Sequence, residues 1–145
     1  MHGLWPQYAK SRGAGKQKGW QPWPQHCALH AEAGAPLVLP PALLRRHFCA
    51  MPDARLMQCQ WAKHGSCSGL EPEAWFAAIE RLAARFAPPH PERESLPAAD
   101  LRRQMRQAHP GLQDRHLQVI RRNGRLREIR VCLDRSLNEP VDCRG

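Results

Sequence analysis

No stretch of this 145-residue chain is long and apolar enough to cross a membrane as a helix. Acidic side chains are scarce, 13 Asp and Glu against 22 Lys and Arg, which leaves a formal net charge of +9 and a pI near 10.0. A shortage of that sign favours an acidic partner, with nucleic acid the leading class. A basic protein with no polyanion partner is the plainer alternative. There is no internal repeat and no linker-like boundary, so one domain over residues 1–145 is expected. A half zinc site can be drawn from Cys27 and His30 in C-x-x-H spacing, but no second half of matching spacing follows. Neither a metal nor a cofactor is therefore expected. Export-signal features are also missing ahead of His2, although the cysteine usage suggests export.

Six cysteines and eight histidines are many for this length. Thiols at that density point to metal binding or to disulfides formed in an oxidising compartment. Hydrophobic content of 42% suits one modest core. From Lys10 to Pro24 the chain is rich in Gly, Lys, Gln and Pro and reads as a basic surface loop. Pro40 and Pro41 introduce a helix in which Leu43, Leu44 and Phe48 share a buried face. Residues 56–64 suit a second helix. The run from Leu70 to Phe86 is amphipathic, with Trp75, Phe76, Ile79, Leu82 and Phe86 inward. A further helix spans Asp100 to His109 and stops at Pro110-Gly111. The period then changes to two, and Asn123-Gly124 marks a hairpin between two strands. Helices first and strands last give an α+β class.

The segment Gln60-Trp61-Ala62-Lys63-His64-Gly65-Ser66-Cys67 carries the chemistry. On a helix, Gln60, Lys63 and His64 share a face, since positions three and four apart are neighbours. That face offers an amide, an ammonium and an imidazole, the last suited to proton transfer near neutral pH. An ammonium beside it suits a phosphorane gaining negative charge. A solvated turn with an ordinary surface His and Lys is the plainer account of this segment alone. The segment His2-Gly3-Leu4-Trp5-Pro6 adds a second histidine and a flat indole on which a nucleobase can stack.

Together these two segments resemble the ribonuclease T2 family of secreted and periplasmic endoribonucleases. That family is marked by His-Gly-Leu-Trp-Pro and then by Glu-Trp-x-Lys-His-Gly-Thr-Cys. The first stands intact at residues 2–6 and the second, altered, at 60–67. Flanks and the final strand and loop match as well, so the resemblance spans nearly the whole chain. It implies a central, mainly antiparallel sheet flanked by helices. It implies that His2 protonates the departing 5′ oxygen and that His64 takes the 2′-hydroxyl proton. Lys63 would stabilise the phosphorane, and Gln60 would occupy the position of the family's acid. Trp5, Tyr8 and Trp61 would contact substrate. The expected partner is single-stranded RNA cut to 2′,3′-cyclic phosphate ends with low base specificity, by a monomer that uses neither metal nor membrane. The resemblance also implies bridges Cys27–Cys67 and Cys132–Cys143 and a periplasmic or secreted location. Cys49 and Cys59 are left for a third bridge or for buried thiols.

Three departures temper this expectation. Gln60 replaces a carboxylate whose charge would favour protonated histidines. Cys59 stands where the family commonly has another histidine. Met1 stands directly before His2, where the family has a strand and further chain, so a fold without the usual first strand is expected, from a start assigned too late. A family member that binds RNA or another partner without cleaving it is the rival reading.

Overall fold

The computed structural model describes residues 3–7, 24–27, 38–88 and 96–143. The chain divides into two compact units, residues 1–83 and 84–145.

In the first unit, Pro41 opens a short helix α1 (Pro41–Arg46), where a residue lacking an N–H costs nothing. Helix α2 (Ala54–Lys63) starts at Asp53, whose carboxylate accepts the Leu56 N–H at 2.9 Å. Helix α3 (Pro72–Arg85) buries Trp75, Phe76, Ile79 and Leu82 of the expected apolar stripe, while Phe86 falls one residue past its end and is only partly buried. Leu39, Met51, Met57, Trp61, Trp75, Phe76 and Ile79 form the core, with Leu4, Leu43, Leu44 and Leu56 packed against it. Phe48, expected inward, is 46% exposed. Helix α1 stops at Arg46, and the backbone of His47 (φ −99°, ψ 12°) leaves the helical path. His47 is buried in place of Phe48. Its Nδ1 lies 2.9 Å from Glu80 Oε1 and its Nε2 3.2 Å from Glu73 Oε1, while its ring stacks on Phe76. Arg46 Nη1 also donates to Glu73, at 2.7 Å. That hydrogen bond leads the effects that hold the Glu73 carboxyl below the usual carboxylate range.

In the second unit, helix α4 (Ala98–Ala108) begins two residues before the expected start. Strands β1 (Leu117–Arg122) and β2 (Arg125–Val131) pair antiparallel with a bulge between Ile120 and Arg121. Asn123 (φ 52°) and Gly124 (φ 77°) both take positive φ, as a two-residue turn matching the strand twist requires. Met105, Leu112 and Leu117 form a small core with Phe86, Ile129 and Val131. The Cys132–Cys143 bridge closes the final loop. Inside it, Asp134 accepts from Ser136 Oγ and from the N–H groups of Asn138 and Glu139. The Ser136 hydroxyl comes first among the bonds that hold its carboxyl low. Mixed helix and antiparallel sheet agree with the expected α+β class.

Candidate active site

Helix α2 brings the second motif together. Gln60 and His64 are 8% and 3% exposed, so the expected polar face is buried at these two positions. The His64 N–H donates to Gln60 O at 2.9 Å, the last bond of the helix, which stacks the two residues one turn apart. Lys63 is half-buried at the final helical position. Past it, Gly65–Cys67 form a 3₁₀ turn, closed by Cys67 N–H to His64 O at 3.1 Å and Ser68 N–H to Gly65 O at 2.9 Å. Gly65 ends the helix as expected, but space rather than a left-handed backbone demands a glycine there. A Cβ at this position would fall 2.3 Å from Trp61 Cε3.

Trp61 is 0% exposed, with its ring edge on Trp75 at 5.8 Å between centroids. It is a core residue in this structure and presents no face to a base, which corrects the expectation that it contacts substrate. Met57, four residues earlier and equally buried, carries the same apolar period. Cys59 is exposed although Gln60 beside it is buried. Consecutive helical residues point about 100° apart, so the thiol sits off the buried face.

The first motif docks on this helix. Trp5 Nε1–H donates to Gln60 Oε1 at 3.1 Å, and the Trp5 and His64 rings stack with centroids 5.1 Å apart and planes at 26°. Leu4 anchors the segment to the core. Gly3 makes the approach possible: at φ 151° a Cβ there would lie 2.7 Å from Gln60 Oε1. One indole thus holds both the amide and the imidazole of the second motif. His2 and Tyr8 lie outside the described residues.

A third segment is stitched to the same place. Cys27 and Cys67 are bridged (S–S 2.03 Å, Cα–Cα 5.1 Å), and the His26 N–H donates to Lys63 O at 2.9 Å. Both expected pairings are therefore present. The bridge also claims the sulfur of Cys27 that the zinc alternative needed; His30 lies outside the described residues. Cys49 and Cys59 are free and exposed, neither a third bridge nor buried thiols. Sequence reasoning missed the steric roles of Gly3 and Gly65. For Gly65 the signal was available: a glycine four residues after a tryptophan on one helical face.

No family model matches the chain. It is 29% identical over 135 residues to a Haemophilus influenzae protein named "Probable ribonuclease", covering 93% of this chain and 43% of that one. It is 29% identical over 153 residues to an Aeromonas hydrophila protein named "Ribonuclease", covering 99% of this chain and 61% of that one. The chain therefore spans about half the length of these relatives. Among solved structures, its fold is similar to that of RNase NT in complex with 5′-AMP. The TM-score is 0.61 at 20% identity, over 99% of this chain and 73% of that one.

Proposed function

From a chain that is ribonuclease T2-like in sequence and fold, we propose a metal-independent endoribonuclease that cleaves single-stranded RNA by transphosphorylation. The observation that carries this reading is the docking of the first motif on the second: Trp5 binds Gln60 and stacks on His64, and Gly3 fits over the same amide. His64 takes the proton of the 2′-hydroxyl, whose oxygen attacks phosphorus. The P–O5′ bond breaks, and His2 supplies the proton that the departing oxygen needs. The Lys63 ammonium offsets the negative charge that gathers on the phosphorane. The substrate supplies its own nucleophile, so no metal hydroxide is required, and the product is a 2′,3′-cyclic phosphate. His64 is buried against Trp5, so in this reading the segment stays docked through Gly3 and Leu4 while its indole turns from the imidazole to a base as substrate enters. Two disulfides suit an oxidising compartment, periplasmic or extracellular.

The test is initial rate on a synthetic dinucleotide with EDTA present. Cyclic phosphate ends are expected, and His64→Ala is expected to abolish them. Gln60→Glu should raise the rate above about pH 5, because a carboxylate beside the imidazole stabilises positive charge around the phosphate. A strict need for added divalent metal would overturn the mechanism. Equal rates for parent, Gln60→Glu and His64→Ala would move the chemistry away from this site. The second reading, binding without cleavage, is favoured by the uncharged amide at Gln60 and by Cys59 in place of a histidine.

A further inference from the structure

The hairpin of the second unit concentrates positive charge at its tip. Arg122 and Arg125 stand directly opposite each other in the β1–β2 register. Arg127 follows one position beyond the Arg121–Leu126 pair, at the bulge. All three are exposed, and with Asn123 and Leu126 they line a shallow groove of about 300 Å³. Like charges directly opposite on a sheet repel. Arg121, Arg125 and Arg130 already have interactions of their own. Arg121 donates to the carbonyls of Leu96 and Gly124, which braces the turn, and Arg130 pairs with Glu128. Among the described residues no carboxylate pairs with Arg122 or Arg127.

We propose that this tip, through Arg122 and Arg127, binds successive phosphates of single-stranded RNA, as a docking element additional to the two-histidine site. Guanidinium groups match phosphate oxygens in a planar, two-pronged way, and less rotamer freedom is lost for each bond formed than with lysine. The choice of RNA as the polyanion rests on the ribonuclease reading. The anion binding itself rests on the arginine geometry.

The experiment uses the whole protein and a fluorescent single-stranded DNA oligonucleotide, which offers phosphates but no 2′-hydroxyl to attack. Binding is followed by anisotropy across a salt series. Arg122→Gln/Arg127→Gln is expected to lower the slope of log affinity against log salt by about 1.4, at roughly 0.7 for each single-strand phosphate that an arginine no longer neutralises. Arg103→Gln/Arg106→Gln removes the same charge from arginines already paired with Asp100 and Asp114, and should leave the slope unchanged. Equal slope reductions in both double variants would make the effect one of net charge and overturn the proposal. So would an unaltered slope in the hairpin variant. Loss of binding to phosphatidylserine vesicles with oligonucleotide binding intact would assign the tip to a membrane surface instead. Melting curves matching the parent confirm that each variant is folded. Dinucleotide cleavage by the parent is scored separately. Hairpin-dependent binding without cleavage sinks the catalytic reading and leaves this one standing, and cleavage with an unaltered slope does the reverse.

Discussion

Gly3→Ala isolates the geometry of the site from the stability of the fold. Gly3 sits at φ 151°, and an added Cβ would lie 2.7 Å from Gln60 Oε1, 3.1 Å from Trp5 Nε1 and 3.4 Å from Gln60 Cδ. Two costs follow. Holding an L residue in that backbone region costs about 1–3 kcal/mol. Displacing the Gln60 amide forfeits the hydrogen bond from Trp5, worth about 0.5–1.5 kcal/mol. A total of about 1.5–4.5 kcal/mol against the docked segment lowers its docked population by up to about 10- to 1600-fold, at 1.4 kcal/mol per factor of ten. The core loses little, because only Leu4 of residues 3–7 packs into it. The Tm should therefore move by less than about 3 °C, the shift that roughly 1 kcal/mol produces in a chain of this size. The assay is kcat/KM on a dinucleotide beside a thermal melt. Repeating the substitution in a Gln60→Ala background removes the clash with the amide, and the penalty there should shrink toward the backbone part alone. Activity within twofold of the parent for Gly3→Ala would refute the docking account. A collapse of Tm in parallel with activity would assign Gly3 to the fold instead.

Two further outcomes follow from the same structure. Gly65→Ala drives a Cβ into the completely buried Trp61 ring and should cost about 1–3 kcal/mol, read as a lower midpoint in urea with an unchanged slope; a neutral result would mean that the ring can move aside. Glu73, held low chiefly by Arg46, contributes stability that is present above the ordinary Glu range and is lost as pH falls through its lowered folded value. Glu73→Gln should thus be less stable than the parent at neutral pH and converge with it in acid, and parallel stability curves would show that the pair contributes nothing.

Much of the fold was readable because local rules agreed with the tertiary outcome. Asn123-Gly124 demanded positive φ at two positions, and both residues adopt it. The stripe Trp75, Phe76, Ile79 and Leu82 needed only a helical period to be placed inside. Phe48 failed because the expected helix was extended past its end, and no period reports that a helix stops at Arg46. His47 was invisible for a related reason: burying an imidazole depends on two carboxylates 26 and 33 residues away. Trp61 was misassigned by giving motif membership more weight than its spacing from Met57.

Gln60 shows how far a motif can change and still organise its surroundings. Its Oε1 accepts the Trp5 N–H at 3.1 Å, a role that one oxygen of a carboxylate would fill as well. The substitution therefore leaves intact the hydrogen bond that brings the first motif onto α2. It removes only the charge that would act on the imidazole stacked under Trp5. Docking and charge are separable properties of this position. A chain that has kept the first can retain an assembled site while its rate falls. That is why restoring a carboxylate at position 60 tests the electrostatics of the site, whereas an alanine at position 3 tests its assembly.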